Sequence, residues 1–396
     1  VYNIPQENFK KPAIYIANHS SFLDILVTTM LNPRLVLLTN KWVWRSPVFG
    51  AVVRMAEYYP VAEGAEDSLE PLQDLVNRGY SIVVFPEGTR QYDDKIKRFH
   101  KGAFYIAEKL GLDIVPIVLH GVHYTMQKGD WLLKDGTCSI YIHNRITPDD
   151  TTYGTTYSER ARNIGRWMRG ELDRVKEVNE TPKYFREQLQ RSYTYKGPVL
   201  EWYCRVKTKL EDYYEPFHKL LPRQGTFYDL GCGYGFMTYM LHWAARGRRF
   251  VGVDYDEEKI ATAQGNFLRD EHISFQQGDV TKIDLQPCDG IIISDVLHYL
   301  LPQQQQTLLL NCVQALNANG VLIIRDGVAE MKERIKGTKL TELFSTRLFK
   351  FNKTQNELHY ISRSTIEAFA ATHGMTVEVL DNAKFTANLI FVLRKT

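Results

Sequence analysis

The sequence lacks the features that mark membrane-spanning, disulfide-stabilised and disordered proteins. Its 396 residues include no uninterrupted run of about 18 apolar residues, so we predict no transmembrane helix within it. The five cysteines form no C-x-x-C pair, and their odd number argues against a disulfide framework or a zinc site. We therefore expect reduced thiols and a cytosolic environment. An apolar content of 44% with 24% charged residues is typical of globular domains, and the length predicts about two of them.

A strong net charge is also absent, but positive charge is concentrated in the middle of the chain. The net charge is +3, and residues 157–223 carry 15 Lys/Arg against 10 Asp/Glu, whereas each flanking segment has a net charge of −1. Balanced ends argue against nucleic-acid binding, which usually needs a basic face on a recognition domain. The basic middle either is weakly attracted to an anionic membrane surface or is a solvated connector of salt-bridged helices.

Two series of short apolar runs alternate with helical patterns, which predicts two α/β domains. The first series has five strands, in PAIYIAN, RLVLLTN, YSIVVFPEG, DIVPIVLHGV and CSIYIHNRI. In the second series, which begins at Phe227, the final strand in TANLIFVLR follows too short a connection for a crossover helix. We therefore expect it to be antiparallel on a mostly parallel sheet. We place the domains at residues 1–180 and 223–396, with a helical connector and N-terminal helices of the second domain at residues 181–222.

A histidine and an aspartate follow the first strand in an arrangement suited to acid–base chemistry. In PAIYIANHSSFLD, His19 stands at the strand-to-helix turn, and Ser21 and Asp24 fit an S-x-x-[DE] capping box that places Asp24 in the first helical turn. There its carboxylate would hold one tautomer of the imidazole, so that His19 acts as a general base toward a hydroxyl. On this motif alone, the alternative is that Asp24 only caps the helix and His19 is a loop histidine.

A second turn, in IVVFPEGTR at residues 82–90, follows another apolar strand and is suited to an anionic group. Gly88 permits a close turn of the backbone, and Arg90 offers a planar guanidinium that matches phosphate geometry. Three further cations follow nearby: Lys97, Arg98 and Lys101. Taken alone, this motif is either an anion-binding turn or a simple turn.

The two motifs together, NHxxxxD followed by FPEGTR, resemble those of the glycerophospholipid acyltransferases, the lysophosphatidate acyltransferases in particular. VPIVLHG at residues 115–121 is similar to a later motif of that family, and Lys41, Pro47 and Gly50 match its intervening segment. The resemblance implies an αβ layer fold in which His19 and Asp24 transfer an acyl group from a thioester, acyl-coenzyme A or acyl carrier protein, to a hydroxyl of a lipid-type acceptor. It also implies that the acceptor is held by Glu87, Gly88, Thr89 and Arg90.

The chain departs from this family near residues 58–63, where the family usually carries an arginine that helps to hold glycerol phosphate. Here the segment reads EYYPVAEG, so the acceptor stays open between glycerol phosphate and another hydroxyl, aromatic hydroxyls included. Upstream, NKWVWRSPVFGAVVRM interleaves apolar and aromatic residues with cations. That segment fits a bilayer interface, an acyl-chain tunnel or a buried core helix.

The second half opens with a glycine-rich turn between a strand and a helix. FYDLGCGYG contains Gly231, Gly233 and Gly235, and Asp254 ends the next strand. Glycines allow a tight turn and a close approach of ligand to backbone, and an acid at that strand end suits two ribose hydroxyls. This arrangement predicts a nucleoside-containing cofactor, either a nicotinamide dinucleotide or S-adenosyl-L-methionine.

The spacing favours S-adenosyl-L-methionine. Dinucleotide sites prefer G-x-G-x-x-G, whereas this turn is G-x-G-x-G, and Asp229 would repel a pyrophosphate. DLGCGYG resembles motif I of class I S-adenosylmethionine-dependent methyltransferases, and GVDYD, QQGDV, DGIIISDVLHYL and NLIFVLRK resemble later motifs, over about residues 197–396. The resemblance implies a Rossmann-like domain whose cofactor site is formed by Asp229, Gly231, Gly233, Gly235, Asp254, Asp279 and Asp295.

Two features near this site each have two interpretations. His298, just past Asp295, is a candidate catalytic base for an acidic hydroxyl or carbon acceptor, or else a helix-capping or core histidine. An apolar stripe either covers the acceptor as a lid or serves packing: Val199, Tyr203, Val206, Leu210, Tyr213 and Phe217.

The whole chain predicts a bifunctional transferase. It begins at Val1 without a methionine or a signal-peptide pattern, so we expect it to be a piece of a longer chain. It resembles the C-terminal part of bacterial fusions with an upstream transporter-like membrane region, in aryl-polyene or flexirubin-type pathways. For this chain we expect a peripheral position on the cytoplasmic face of the membrane, and an acyl carrier protein is a partner where it, rather than coenzyme A, is the acyl donor. The alternative is a catalytically silent acyltransferase-like module that docks an active methyltransferase on the membrane.

Overall fold

The computed structural model describes residues 9–40, 59–61, 69–130, 132–210, 214–329, 358–381 and 388–395, with only the backbone described at 39–40 and 59–61. Lys41, Pro47, Gly50, the aromatic segment at 41–55 and most of EYYPVAEG lie outside the described residues. The chain divides into two compact units, Val1–Lys176 and Glu177–Thr396. In the described part, no helix is both long and apolar enough to cross a lipid bilayer.

The first unit is built on a six-stranded sheet with the spatial order β3-β2-β4-β1-β5-β6. Its strands are β1 (Ala13–Ala17), β2 (Leu35–Asn40), β3 (Tyr59–Val61), β4 (Ser81–Val84), β5 (Asp113–His120) and β6 (Ser139–Ile142). The first five pair in parallel, and β6 pairs antiparallel with β5. Every residue of β1 is buried, because helices cover both faces of a central parallel strand.

The helices of the first unit pack on both faces of this sheet. They are α1 (Leu23–Thr29), α2 (Leu69–Asn77), α3 (Gly102–Leu110), α4 (Val122–Thr125) and α5 (Tyr157–Asn179). Ile14 and Ile16 pack into one core and Tyr15 into the other, as the two-residue period of a strand requires. The neighbouring strands β4, β1 and β5 are parallel, so the turns after their carboxyl ends meet at one edge.

The second unit contains a seven-stranded sheet with the order β12-β13-β11-β10-β7-β8-β9. Its strands are β7 (Gln224–Leu230), β8 (Gly247–Asp254), β9 (Ile273–Gln277), β10 (Cys288–Ser294), β11 (Leu316–Gly327), β12 (Met375–Leu380) and β13 (Asn388–Lys395). The last strand, β13, is antiparallel to both neighbours, while the remaining pairs are parallel. The predicted α/β class with a mostly parallel second sheet and an antiparallel last strand is thus confirmed.

Residues 181–222 fold within the second unit and supply α6 (Arg186–Ser192), α7 (Pro198–Leu210) and α8 (Tyr214–Leu220). The later helices are α9 (Phe236–Trp243), α10 (Glu257–Gln264), α11 (Pro302–Ala315) and α12 (Arg363–Thr372). The strand order turns around between β7 and β10, which lie side by side at the centre of the sheet. Ligands of open α/β sheets bind at such a point, outside the carboxyl ends of the strands.

Candidate active sites

His19 is held in place by the residue before it. The buried Asn18 donates its amide to the Leu119 carbonyl (3.0 Å) and accepts the Leu119 N–H (2.8 Å). This pairing extends the contact between β1 and β5 by one residue beyond their ladder. The His19 ring then stacks on Phe85, with ring centroids 4.2 Å apart. The strand ends therefore determine where the imidazole lies.

The predicted pair of His19 and Asp24 is brought together. Nδ1 of His19 lies 3.0 Å from Oδ2 of Asp24, and the same oxygen accepts the N–H groups of Ser20 (2.6 Å) and Ser21 (2.7 Å). Asp24 is fully buried, and burial raises its pKa, against the opposing effect of His19 and the two amides. An ionised Asp24 keeps the proton of the ring on Nδ1, which leaves Nε2 to accept one.

The local capping differs in detail from the prediction. Asp24 lies in the first turn of α1, as expected, and it accepts the Ser21 N–H like the acid of a capping box. Ser21, however, accepts the Leu23 N–H through its hydroxyl, and the helix has no side-chain cap on its N-terminal residue, Phe22. The difference arises because the Asp24 side chain points back toward His19, where its carboxylate accepts the Ser20 and Ser21 N–H groups of the turn.

Glu87 connects the second motif to the first. Its two oxygens accept the N–H groups of His19 and Lys97, each at 2.9 Å, and it is 4% exposed. Burial raises the pKa of Glu87 to about 7. The structure therefore places this carboxylate on the backbone of His19, a contact that the sequence alone does not indicate. Its predicted role at the acceptor stays a prediction.

The other residues of the second motif are more accessible. Gly88 has a φ of 71°, and a Cβ there would lie 3.1 Å from the His100 ring, so the turn needs glycine. Gly88 and Thr89 are exposed and Arg90 is half-buried. The next residue, Gln91, donates its N–H to the His19 carbonyl (3.1 Å). The backbone just past Arg90 therefore contacts the His19 turn, and the predicted role of Gly88, Thr89 and Arg90 at the acceptor stays a prediction.

In the second unit, the glycine turn and the acid of the next strand meet. The Gly233 N–H donates to Oδ2 of Asp254 at 2.8 Å. A Cβ at Gly231 would lie 2.2 Å from Val296 and one at Gly235 2.6 Å from Phe275, whereas no described atom lies within 4 Å of a Cβ built at Gly233. Two glycines therefore serve close packing, and Gly233 presents open backbone beside a carboxylate. This geometry fits a nucleoside ligand.

The remaining acids predicted at the cofactor site have distinct surroundings. Asp229 is buried and accepts the Thr238 hydroxyl, and burial raises its pKa to about 7, with the charge of Asp254 acting in the same direction. Asp279 is exposed and accepts the Thr281 N–H (2.9 Å), although its neighbour Gly278 donates to the Asp254 carbonyl (2.9 Å).

Asp295, just past the carboxyl end of β10, links this strand to β11 and β13. It has a φ of 56°, an uncommon conformation for a residue with a side chain. One of its oxygens pairs with Arg325 of β11, and the other accepts the Asn388 amide of β13 at 2.9 Å. Both partners come from strands that the chain reaches later, so this contact could not be read from the motif.

His298 has a carboxylate partner, Asp326, that the motif around Asp295 does not indicate. Its Nδ1 lies 2.5 Å from Oδ1 of Asp326, and both residues are buried. The other oxygen of Asp326 accepts the Val296 (3.1 Å) and Leu297 (2.7 Å) N–H groups. Asp326 ends the apolar run of GVLIIRDG, which is the same signal that identified Asp254 at the end of β8.

The residues of the predicted apolar stripe at 199–217 differ in their exposure and in their contacts. Tyr203 packs edge-on against Tyr234 of the glycine turn, with centroids 6.1 Å apart, and Phe217 is buried. Val199 and Leu210 are exposed, and Tyr213 lies outside the described residues. Among the described residues of the stripe, Tyr203 therefore contacts the glycine turn.

Part of each half of the chain matches known proteins. Residues 2–120 match the family model described as Acyltransferase, and residues 228–324 match the one described as Methyltransferase domain. A chloroplastic 1-acyl-sn-glycerol-3-phosphate acyltransferase of Arabidopsis thaliana is 33% identical over 149 residues, covering 36% of this chain and 41% of that protein. A 1-acyl-sn-glycerol-3-phosphate acyltransferase of Limnanthes douglasii is 30% identical over 163 residues, covering 38% of this chain and 58% of that protein.

Carboxy-S-adenosyl-L-methionine synthase of Shewanella baltica is 28% identical over 131 residues, covering 32% of this chain and 53% of that protein. Among solved structures, the pyocyanin biosynthetic protein PhzM covers 52% of this chain and 61% of its own at 19% identity, with a TM-score of 0.40. This chain spans about half the length of the curated relatives that it matches. It carries an acyltransferase domain in its N-terminal half and a methyltransferase domain in its C-terminal half.

Proposed function

We propose that the first unit transfers an acyl group from a thioester to a hydroxyl. The observation that carries this proposal is the 3.0 Å contact between Nδ1 of His19 and the buried Asp24. Nε2 of His19 takes the proton of the acceptor hydroxyl as its oxygen bonds to the thioester carbonyl carbon. The carbon–sulfur bond then breaks, and the imidazolium returns the proton to the leaving thiolate. Asp24 stabilises the charge that the ring gains during the transfer.

The acceptor side of this proposal follows from the accessible part of the second motif. Thr89 and Arg90 stand next to the His19 turn, and a guanidinium suits a phosphate or another anionic head group. A lipid-type acceptor fits the acyl-glycerol phosphate named in the acyltransferase relatives. The donor is acyl-coenzyme A or an acyl carrier protein.

Replacement of His19 tests the acyltransferase proposal. We expect His19→Ala to lower acyl transfer from acyl-coenzyme A to lysophosphatidate, or to an aromatic alcohol, by about 100-fold or more. Asp24→Asn should lower it to a similar degree, because the amide reverses the tautomer of the ring. His143→Ala is the control, because it also removes an imidazole. It keeps the bond from the His143 N–H to the Pro116 carbonyl of β5, which belongs to the backbone. Equal rates for wild type and His19→Ala would support the silent docking module, which the acyltransferase relatives do not favour.

We further propose that the second unit methylates a small or lipid-like molecule with S-adenosyl-L-methionine. The observation that supports this proposal is the 2.8 Å hydrogen bond from the Gly233 N–H to Asp254. It holds an accessible stretch of backbone next to a carboxylate, close to where the strand order of the sheet reverses. Asp254 would hold the ribose hydroxyls, and the open side of Gly233 would admit the ligand. When bound, S-adenosyl-L-methionine supplies a methyl group on a positively charged sulfur. One relative is named for a carboxy derivative of this compound.

His298 and Asp326 would serve the methyl acceptor. Asp326 is fixed by two backbone N–H groups and holds Nδ1 of His298, so the other ring nitrogen can take the proton that an acidic hydroxyl or carbon loses. A base of this kind is needed only where the acceptor must lose a proton. We therefore infer an acidic acceptor for the second unit.

Calorimetric titration tests the choice of cofactor. We expect S-adenosylhomocysteine to bind the wild type and NADH not to bind it. Asp254→Ala should weaken binding of S-adenosylhomocysteine by about tenfold or more, because it removes the acceptor of the ribose hydroxyls. Asp284→Ala, a change in the loop between β9 and β10, is the control. Binding of NADH without S-adenosylhomocysteine would overturn the assignment.

The two activities together suggest a setting for the chain. We propose that one lipid-type product of a bacterial pathway is both methylated and esterified by it. We also propose that the chain contacts the cytoplasmic face of a membrane peripherally. Acyl transfer assays with a carrier-protein donor beside the coenzyme A donor would decide between the two thioesters.

A further inference from the structure

Helix α7 has one buried face and, opposite it, an exposed apolar face. One face packs inward, with Leu200 (7% exposed), Cys204 (0%) and Thr208 (1%) at four-residue intervals. The other face points outward and presents Val199 (59% exposed), Trp202 (43%) and Leu210 (72%), with Val206 half-buried between them. Spacings of three, four and four residues place these four side chains along one side of a helix.

An ordinary surface helix carries polar residues opposite its buried face. In α7 the polar residues are displaced to the flanks, where exposed cations border the apolar row: Lys196 before the helix, and Arg205 and Lys209 within it. Residues 198–210 carry three cations and one acid, Glu201, which pairs with Arg205 at 2.7 Å, and two further acids, Glu211 and Asp212, follow Leu210 in the sequence. The helix also lies in residues 157–223, the segment with 15 basic and 10 acidic residues. An apolar row bordered by cations is the pattern of a helix that lies in a membrane interface.

We propose that the outward face of α7 docks on an anionic lipid surface. Val199, Trp202, Val206 and Leu210 would enter the headgroup boundary, and the flanking cations would contact anionic lipid phosphates. This gives the proposed membrane contact a specific surface, and it depends on neither proposed activity. A twofold pair of this chain built on the same face would bring its own cations together, so the charge favours lipid over a second copy.

Vesicle co-sedimentation with the full chain tests this docking surface. We expect binding to vesicles of phosphatidylcholine with about one quarter phosphatidylglycerol, weaker binding to pure phosphatidylcholine, and loss of the difference when ionic strength rises from about 0.1 M to about 0.5 M. The variant Val199→Ser/Trp202→Ser/Leu210→Ser should lose about tenfold or more of its binding to the mixed vesicles. Cofactor titration and thermal melting of this variant establish that it is folded.

A matched variant controls for apolar surface in general. Phe267→Ser/Leu301→Ser/Leu310→Ser removes three other exposed apolar side chains of the same unit (67%, 55% and 38% exposed) and should bind vesicles like the wild type. Equal binding by the α7 variant and the wild type would overturn the proposal. A wild type that binds neither kind of vesicle would overturn it as well. A wild-type dimer in solution that the α7 variant converts to a monomer would also overturn it, because the face would then serve self-association.

Discussion

Glu87 shows how a single side chain sets the geometry of the first site. Its two oxygens hold two backbone N–H groups, one of them that of His19, within a buried turn. An ionised carboxylate makes both bonds, but burial opposes its charge and raises its pKa to about 7. The residue therefore favours the active geometry at a cost in stability.

This conflict predicts opposite effects of Glu87→Gln on activity and stability. The pKa of Glu87 rises from an ordinary 4.5 to about 7 on folding, so its stabilising contribution is complete below about pH 4.5 and is lost as pH rises through 7. The difference in melting temperature of the first unit, glutamine variant minus wild type, should therefore become more positive as pH rises from about 5 to about 8. Acyl transfer should fall about tenfold, because glutamine can accept only one of the two N–H groups.

Melting curves at several pH values, together with acyl transfer rates, check this prediction. Glu70→Gln, on the exposed start of α2, is the control and should leave both quantities unchanged. A constant melting difference across that pH range would show that Glu87 does not titrate there.

At the scale of elements, the helices before β7 hold the glycine turn from outside. The buried Tyr193, just after α6, donates its hydroxyl to the Tyr234 carbonyl and packs edge-on against Phe236, with centroids 4.8 Å apart. Tyr195, two residues later, donates instead to the Thr262 carbonyl of α10 at 2.7 Å. Only the first of these bonds restrains the turn between Gly233 and Gly235.

We therefore expect Tyr193→Phe to weaken binding of S-adenosylhomocysteine by about five- to tenfold, the effect of one lost buried hydrogen bond. The matched change Tyr195→Phe also removes one tyrosine hydroxyl and should change the affinity by less than about twofold. Calorimetry well below the melting temperature separates positioning from stability. Equal affinities in the two variants would contradict a role of Tyr193 at the turn.

A buried arginine joins the ends of two helices in the second unit. Arg248 is fully buried and donates to the carbonyls of His218 (2.8 Å), Leu221 (2.9 Å) and Leu241 (2.9 Å), at the ends of α8 and α9. Burial lowers the pKa of Arg248 to about 9. Carbonyls at a helix end need such partners where water is excluded.

Arg248→Lys should accordingly lower the melting temperature of the second unit by about 5 °C or more, because one ammonium cannot reach both helix ends. The neighbouring Arg249 is exposed on the same strand, and Arg249→Lys should shift the melting temperature by less than about 1 °C. Differential scanning calorimetry of the two variants makes the comparison. Similar melting temperatures would show that the helix ends are satisfied without the guanidinium.

At the scale of the whole molecule, two compact units predict two unfolding transitions. S-adenosylhomocysteine at about 100 times its dissociation constant should stabilise the unit that binds it by about 2.7 kcal/mol and leave the other transition in place. Calorimetric scans with and without the compound check this expectation, and Asp254→Ala removes the shift. A single transition that moves as a whole would mean that the units unfold together.

From the amino-acid sequence alone, apolar runs predicted five of the six strands of the first sheet. The antiparallel last strand, the turn at His19 and the glycine turn at Gly231 were also predictable, because their signals are local: apolar period, glycine spacing and turn residues. Only the tertiary structure brought Asp326 to His298, Glu87 to the His19 backbone and Arg248 to two helix ends. Asp326 lies 28 positions from His298 and Glu87 lies 68 positions from His19, and Arg248 joins the His218 carbonyl, 30 positions away, to the Leu241 carbonyl, 7 positions away. The long-range contacts among these depend on which strands become neighbours. Strand order follows from burying both faces of each sheet at once, a property of the whole unit that no local segment encodes.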